Sequence, residues 1–178
     1  RHIADFGGDP ERLVVMGESA GGLLAAVAAQ RARDQNGPTL SAQVLFYPAI
    51  DLDAQTGSRI EFADGPILGT ETARAMLSTY LGDAANAASA LASPNRARSL
   101  AGLPPALVVS AQCDPLRDEG EAYGRAMQDA GVHTRIVRLP GMVHGAYNLS
   151  AFVPRVEEFN RATVDFLLPL LQRSPETA

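Results

Sequence analysis

Apolar residues along this chain fall into short, nearly continuous runs, separated by longer stretches in which they recur every three or four positions. That alternation predicts strands and helices in turn. Leu13 to Met16, Ala42 to Tyr47 and Ala106 to Ala111 are such runs, broken only by Gln43 and Ser110, and near-continuous apolar strands suit a parallel sheet covered on both faces. Val132 to Leu139 is more polar, with His133, Arg135 and Arg138, and predicts a fourth strand nearer an edge. Between the runs, the alanine- and leucine-rich stretch from Ala20 to about Asp34 predicts a helix stopped by Gly37-Pro38. Thr70 to Leu81 predicts a second, with Thr70 as N-cap, Gly82 just past its end, and Ala73, Met76, Leu77 and Tyr80 as its stripe. Leu116 to Ala130 predicts a third, with Asp118 and Glu119 in its first turn and Gly131 at its end. Phe152, Val156, Phe159, Thr163, Phe166 and Leu170 define the buried face of a last helix. His2 to Arg12 reads as a helix end and a turn, Asp51 to Gly69 as irregular, and Asp83 to Pro105 as a long connection. Ser174 to Ala178 reads as a disordered tail. Strands alternating with helices predict the α/β class with a parallel sheet.

The length of 178 residues fits one domain with a sizeable core. Hydrophobic residues at 46% and charged residues at 20% match an ordinary globular protein. The net charge of −5 and the lack of a basic block argue against nucleic acid as a partner. No apolar run approaches the ~20 residues that span a bilayer. One cysteine, Cys113, leaves no internal disulfide and no cysteine-rich metal site. No cofactor is expected, and the expected location is the cytoplasm. The first residue is Arg1 and not methionine, which fits a piece of a longer product.

The chemistry begins at Gly17-Glu18-Ser19-Ala20-Gly21, a G-x-S-x-G placed between an apolar strand and a helix. This is the pattern of a nucleophile elbow, a sharp turn that exposes a serine hydroxyl above a sheet. Side chains at positions 17 and 21 are expected to collide with strand and helix as the turn tightens. The Ala20 N–H, at the helix start, is the candidate oxyanion donor. A serine hydroxyl needs a base, and the base needs a third group to hold it. Asp114 follows the third run and His144 lies in a Pro140 to Asn148 loop after the fourth. The ends of parallel strands are where such sheets gather their sites. Ser19, His144 and Asp114 are therefore the candidate catalytic residues. His2 precedes the elbow and His133 sits within a strand pattern. Asp118, Glu119, Asp51 and Asp53 are alternative acids, Cys113 reads as a small buried residue, and Glu18 either orients the elbow or is structural.

These motifs give the chain its resemblance to the hormone-sensitive-lipase-like family of α/β-hydrolases, bacterial carboxylesterases in particular. The matching stretches are Phe6 to Gly22, Asp114 to Tyr123 (D-P-L-R-D-E-G-E-A-Y), Ala130 to Val132 and Gly141 to Tyr147 (G-M-V-H-G-A-Y). The resemblance implies an α/β-hydrolase fold of which this chain holds the last four strands, with 49–105 contributing to a cap or site rim. It implies Ser19 as nucleophile, His144 as base, Asp114 as acid, and ester hydrolysis through an acyl-enzyme. Small soluble esters are the expected substrates, and a binding module on the same scaffold is the alternative. Two departures stand out. Glu18 takes the place of the family's usual aspartate, and the H-G-G-type oxyanion loop has no counterpart upstream of the elbow. A longer cholinesterase-like chain shares Glu18's pattern, but the Asp114 to Gly120 block speaks against it. The expected partners are a small-molecule ester, the remaining half of the domain and, in a homo-oligomer, a second copy. Alone, Leu13 to Met16 is then expected to be an uncharged sheet edge that recruits other chains, leaving an isolated fragment inactive and aggregation-prone.

Overall fold

The computed structural model describes residues 2–172, so the expectation for Ser174 to Ala178 lies outside the described residues. The apolar runs form β1 (Leu13–Glu18), β2 (Leu40–Phe46), β3 (Ala106–Cys113) and β4 (Thr134–Val143). They pair in parallel in the order β1-β2-β3-β4, which is also their order along the chain. The helices are α1 (Ala20–Asp34), α2 (Gly57–Glu61), α3 (Thr70–Leu81), α4 (Arg117–Asp129) and α5 (Glu157–Leu171).

Alternate residues of each strand face opposite ways, and both faces are covered. Val44, Phe46, Leu107 and Val109 share one core with Phe159, Ala162 and Phe166 of α5. Leu45 and Val108 share the other with Ala25, Ala26 and Ala29 of α1 and with Tyr123 and Met127 of α4. The largely apolar character of β2 and β3 follows from this double burial, although Gln43 and Ser110 are buried with them. Among the described residues β1 and β4 are the outer strands, and Met16 on β1 is 46% exposed.

Several elements differ from the sequence expectation. β4 runs on through Pro140 to Val143, a stretch expected as loop. A proline breaks a central strand but is tolerated in an outer one, where no neighbour needs its missing N–H. The register also shifts between Ala111 and Cys113, and Gly141 N–H donates to Gln112 Oε1 at 2.7 Å. A short helix, α2, stands within the segment read as irregular, capped by Thr56, whose hydroxyl accepts from Arg59 N–H. Two 3-10 turns, Ala84–Ala88 and Pro94–Arg96, break up the long connection before β3. Gly69, not Thr70, holds the cap position of α3, without a side-chain bond. Phe152 is 85% exposed, so the buried face of the last helix begins at Val156. The stripe of α3 is split: Leu77 packs against Leu23, Leu52, Ala87 and Ala92, while Met76 and Tyr80 are more than half exposed.

Burial pushes the Tyr123 hydroxyl up from 10.0 to about 12. Between those values the native protein keeps a proton that the unfolded chain has released, so raising the pH favours unfolding. Stability is expected to fall by about 2–3 kcal/mol from this residue as pH rises from ~10 to ~12. Denaturant titrations across that range should show a shallower slope for Tyr123→Phe.

Candidate active site

β1 ends at Glu18 and α1 begins at Ala20, which leaves Ser19 alone to make the turn. Its φ of 53° and ψ of −119° lie in a sparsely populated region for a residue with a side chain. Backbone bonds hold it there from three directions. Ser19 N–H donates to Phe46 O at 2.9 Å, and Ser19 O accepts from Leu23 N–H and Ala49 N–H. The tightness of the turn falls on two glycines. A Cβ at Gly17 would run into the backbone carbonyl of Gly21, and one at Gly22 would lie 2.7 Å from Pro48 Cβ. At Gly21 itself a Cβ meets nothing within 4 Å. The expected collision at position 21 therefore belongs to position 22, where α1 crosses the end of β2.

Ser19 Oγ lies 2.9 Å from His144 Nε2. His144 Nδ1 lies 2.8 Å from Asp114 Oδ2, and Asp114 Oδ1 accepts from Leu116 N–H at 2.8 Å. Asp114 is wholly buried and His144 is 7% exposed. An Nδ1–H donated to Asp114 leaves Nε2 free to accept from the serine hydroxyl. His144 follows the last residue of β4, and Gly145, at φ 71°, turns the chain back after it. Ala20 opens α1, so its N–H is one of the first-turn donors without an acceptor in the helix.

The other candidates lie elsewhere. His2 is exposed beside Asp5, and His133 is stacked on Phe166. Asp51 faces Asn95 and Arg96, and Asp53 faces Arg96. Cys113 is a free, half-buried thiol on β3. Asp118 accepts from Ser58 N–H at 2.7 Å. Glu119, 4% exposed, accepts from Ile50 N–H and Asp51 N–H and pairs with Arg59 at 2.7 Å. Burial pushes the Glu119 carboxyl up, against the pull of Arg59 and those N–H groups. Together with the Ser58 hydroxyl, which donates to Pro115 O, these bonds fasten residues 50–59 to the turn that carries Asp114. Sequence reasoning missed this fastening because its halves lie ~60 residues apart, as Arg59 and Glu119 do.

An apolar cavity of about 270 Å³ opens beside Ser19, walled by Leu23, Leu24, Leu52, Leu68, Met76 and Leu77. The exposed side of α3 is thus a wall of this cavity. Among the described residues, no group of three or more His, Cys, Asp or Glu side chains is placed to hold a metal ion. None of the described helices is long and apolar enough to cross a membrane.

A family profile described as alpha/beta hydrolase fold matches residues 1–148. Carboxylesterase NlhH of Mycobacterium tuberculosis is 42% identical over 162 residues, covering 88% of this chain and 50% of its own length. The ethyl acetate hydrolase of Pseudomonas putida is 31% identical over 156 residues, covering 86% of this chain and 48% of its own. The crystal structure of a thermostable esterase from Pseudomonas putida ECU1011 superposes with a TM-score of 0.89 at 40% identity, over 97% of this chain and 56% of that one. The chain spans about half the length of the curated relatives it matches.

Proposed function

The chain belongs to the α/β-hydrolase fold family, and on that premise we propose that it carries the reacting groups of a serine carboxylesterase. The observation that carries the reading is the continuous line of contacts from Ser19 Oγ through His144 to buried Asp114, at 2.9 and 2.8 Å. Ser19 Oγ attacks the ester carbonyl carbon while His144 Nε2 takes its proton. Asp114 accepts the Nδ1–H, fixes the tautomer and stabilises the imidazolium that forms. The carbonyl oxygen gains negative charge and turns toward the Ala20 N–H, where the dipole of α1 favours it. Collapse of the tetrahedral intermediate breaks the C–O bond, and His144 returns the proton to the departing alcohol. Water then adds to the acyl-serine by the same route, with His144 as base, and releases the acid. Nucleophile, proton carrier and one oxyanion donor all come from this chain, so the proposal includes no cofactor.

The cavity beside Ser19 supports small to medium carboxylic esters as substrates. Its lining is mostly aliphatic, with Arg59 and Tyr80 at its border, which favours an acyl or alkyl group. Relatives named carboxylesterase and ethyl acetate hydrolase support the same class. A fluorophosphonate should label Ser19 in the complete protein, with the modified peptide located by mass. A series of nitrophenyl esters should peak at short to medium acyl chains. Binding of esters without turnover would instead favour a non-catalytic module, and a preference for emulsified long-chain triglyceride would overturn the substrate class.

A further inference from the structure

Glu18, the last residue of β1, bonds through its carboxylate to two segments distant in sequence. One oxygen accepts the Tyr47 hydroxyl. The other accepts from Asn148 Nδ2 at 2.8 Å. Tyr47 follows β2 directly and is wholly buried. Its ring stands edge-on to the His144 imidazole, with centroids 5.0 Å apart. Tyr47 also has a φ of 33°, uncommon for a residue with a side chain, and its N–H donates to Val109 O at 2.7 Å. Asn148 lies four residues beyond His144 in the 3-10 turn Ala146–Leu149.

We propose that Glu18 is a positioning residue, a latch that ties the elbow strand to His144 from two sides, through Tyr47 against the ring and Asn148 in the following turn. This rests on the reading of Ser19 and His144 as nucleophile and base. The two partners of the pair come from segments 125 residues apart, and the glycine contacts and backbone bonds described for Ser19 reach only α1, β2 and the residues that directly follow β2. Glu18 connects the turn directly to the segment that carries the base. A carboxylate suits the task because it offers two acceptor oxygens to two donors. Burial, reinforced by the bond to Glu18, pushes the Tyr47 hydroxyl far above its ordinary range, so it stays a donor throughout the working range. A misplacement of about 1 Å can cost on the order of 100-fold in rate, so a lost latch shows in kcat before it shows in binding.

The test uses Glu18→Gln, Tyr47→Phe, Asn148→Ala and the exchange Glu18→Gln with Asn148→Asp, each in the complete protein. Glutamine keeps one acceptor for Tyr47 but turns an NH2 toward the NH2 of Asn148. With aspartate at 148 the second bond re-forms with its polarity reversed. Glu18→Gln is expected to lower kcat by about 10- to 100-fold with KM held within about twofold. Tyr47→Phe should follow it, Asn148→Ala should lose less because that arm is exposed, and the exchange should restore most of kcat. A Glu18→Gln enzyme with unchanged kcat, or an exchange no better than the single variant, overturns the latch. If Glu18→Gln does not fold, Tyr47→Phe and Asn148→Ala decide: lower kcat at constant KM supports it, and unchanged kcat overturns it. Ser19→Ala separates the two readings. Full activity in that variant removes the nucleophile assignment, whereas its inactivity beside an unaffected Glu18→Gln removes only the latch.

Discussion

Ser19→Ala in the complete protein is expected to lose ester hydrolysis by about 10⁴-fold or more, with KM nearly unchanged. The cavity walls and the Ala20 N–H survive the change, so binding and part of the oxyanion stabilisation persist. On the proposed mechanism, what disappears is the nucleophile. His144→Ala should fall to a similar level, because an alcohol without its base at 2.9 Å is a poor attacking group. The double variant should be no slower than either single one, since the two residues act as a unit. Asp114→Asn should keep the geometry but allow the wrong tautomer at Nδ1, and also slow the reaction steeply. Steady-state rates on one nitrophenyl ester measure all four. Additive losses, or a Ser19→Ala enzyme with full activity, would show that the contact chain is structural and that another nucleophile does the work.

Arg59→Ala carries the largest expected cost in stability. Glu119 is nearly wholly buried, and Arg59 is its only ionic partner among the described residues. Removing the guanidinium leaves a buried carboxylate held by two backbone N–H groups, a loss of about 3–5 kcal/mol. For a chain of this size that corresponds to a Tm lower by roughly 6–20 °C. The loss should be greatest above neutral pH. Burial already pushes the Glu119 carboxyl up, and without Arg59 it rises further, so protonation relieves the charge as the pH falls. Adding Glu119→Gln should therefore recover part of the stability at neutral pH. Equal Tm values for Arg59→Ala and the unaltered protein would mean that water reaches Glu119 and the pair is an ordinary surface contact. Because Arg59 also borders the cavity beside Ser19, KM for longer esters should rise in the same variant.

The sheet and the placement of the candidate residues were legible in the sequence for reasons that can be named. β2 and β3 are buried on both faces, so their runs are nearly all apolar, and α1 lies between the elbow before it and Gly37-Pro38 after it. Ser19, Asp114 and His144 each stand just past a strand, and parallel strands bring such positions to one edge. What escaped depends on contacts across the chain. α2 is held by Ser58 and Arg59 bonding to α4 and its preceding turn, which no local pattern announces. The end of β4 hid behind Pro140, a residue that reads as a breaker unless the strand is known to be an outer one. The stripe of α3 had the spacing of a core face, yet Met76 and Tyr80 line an open cavity. Glu18 stood in the motif, but its role lies with Tyr47 and Asn148, 29 and 130 residues away.

The coincidence of strand order with chain order has a consequence in time. In a sheet ordered β1-β2-β3-β4 each strand's earlier neighbour is the one synthesised just before it. During synthesis at about 5–20 residues per second, His144 therefore leaves the ribosome roughly 6–25 s after Ser19. Through that interval Ser19 lacks the imidazole that lies 2.9 Å from its hydroxyl in the folded chain. On the proposed mechanism, Ser19 becomes reactive only once β4 has docked on β3 and brought His144 to it, so its reaction with a fluorophosphonate would time that docking.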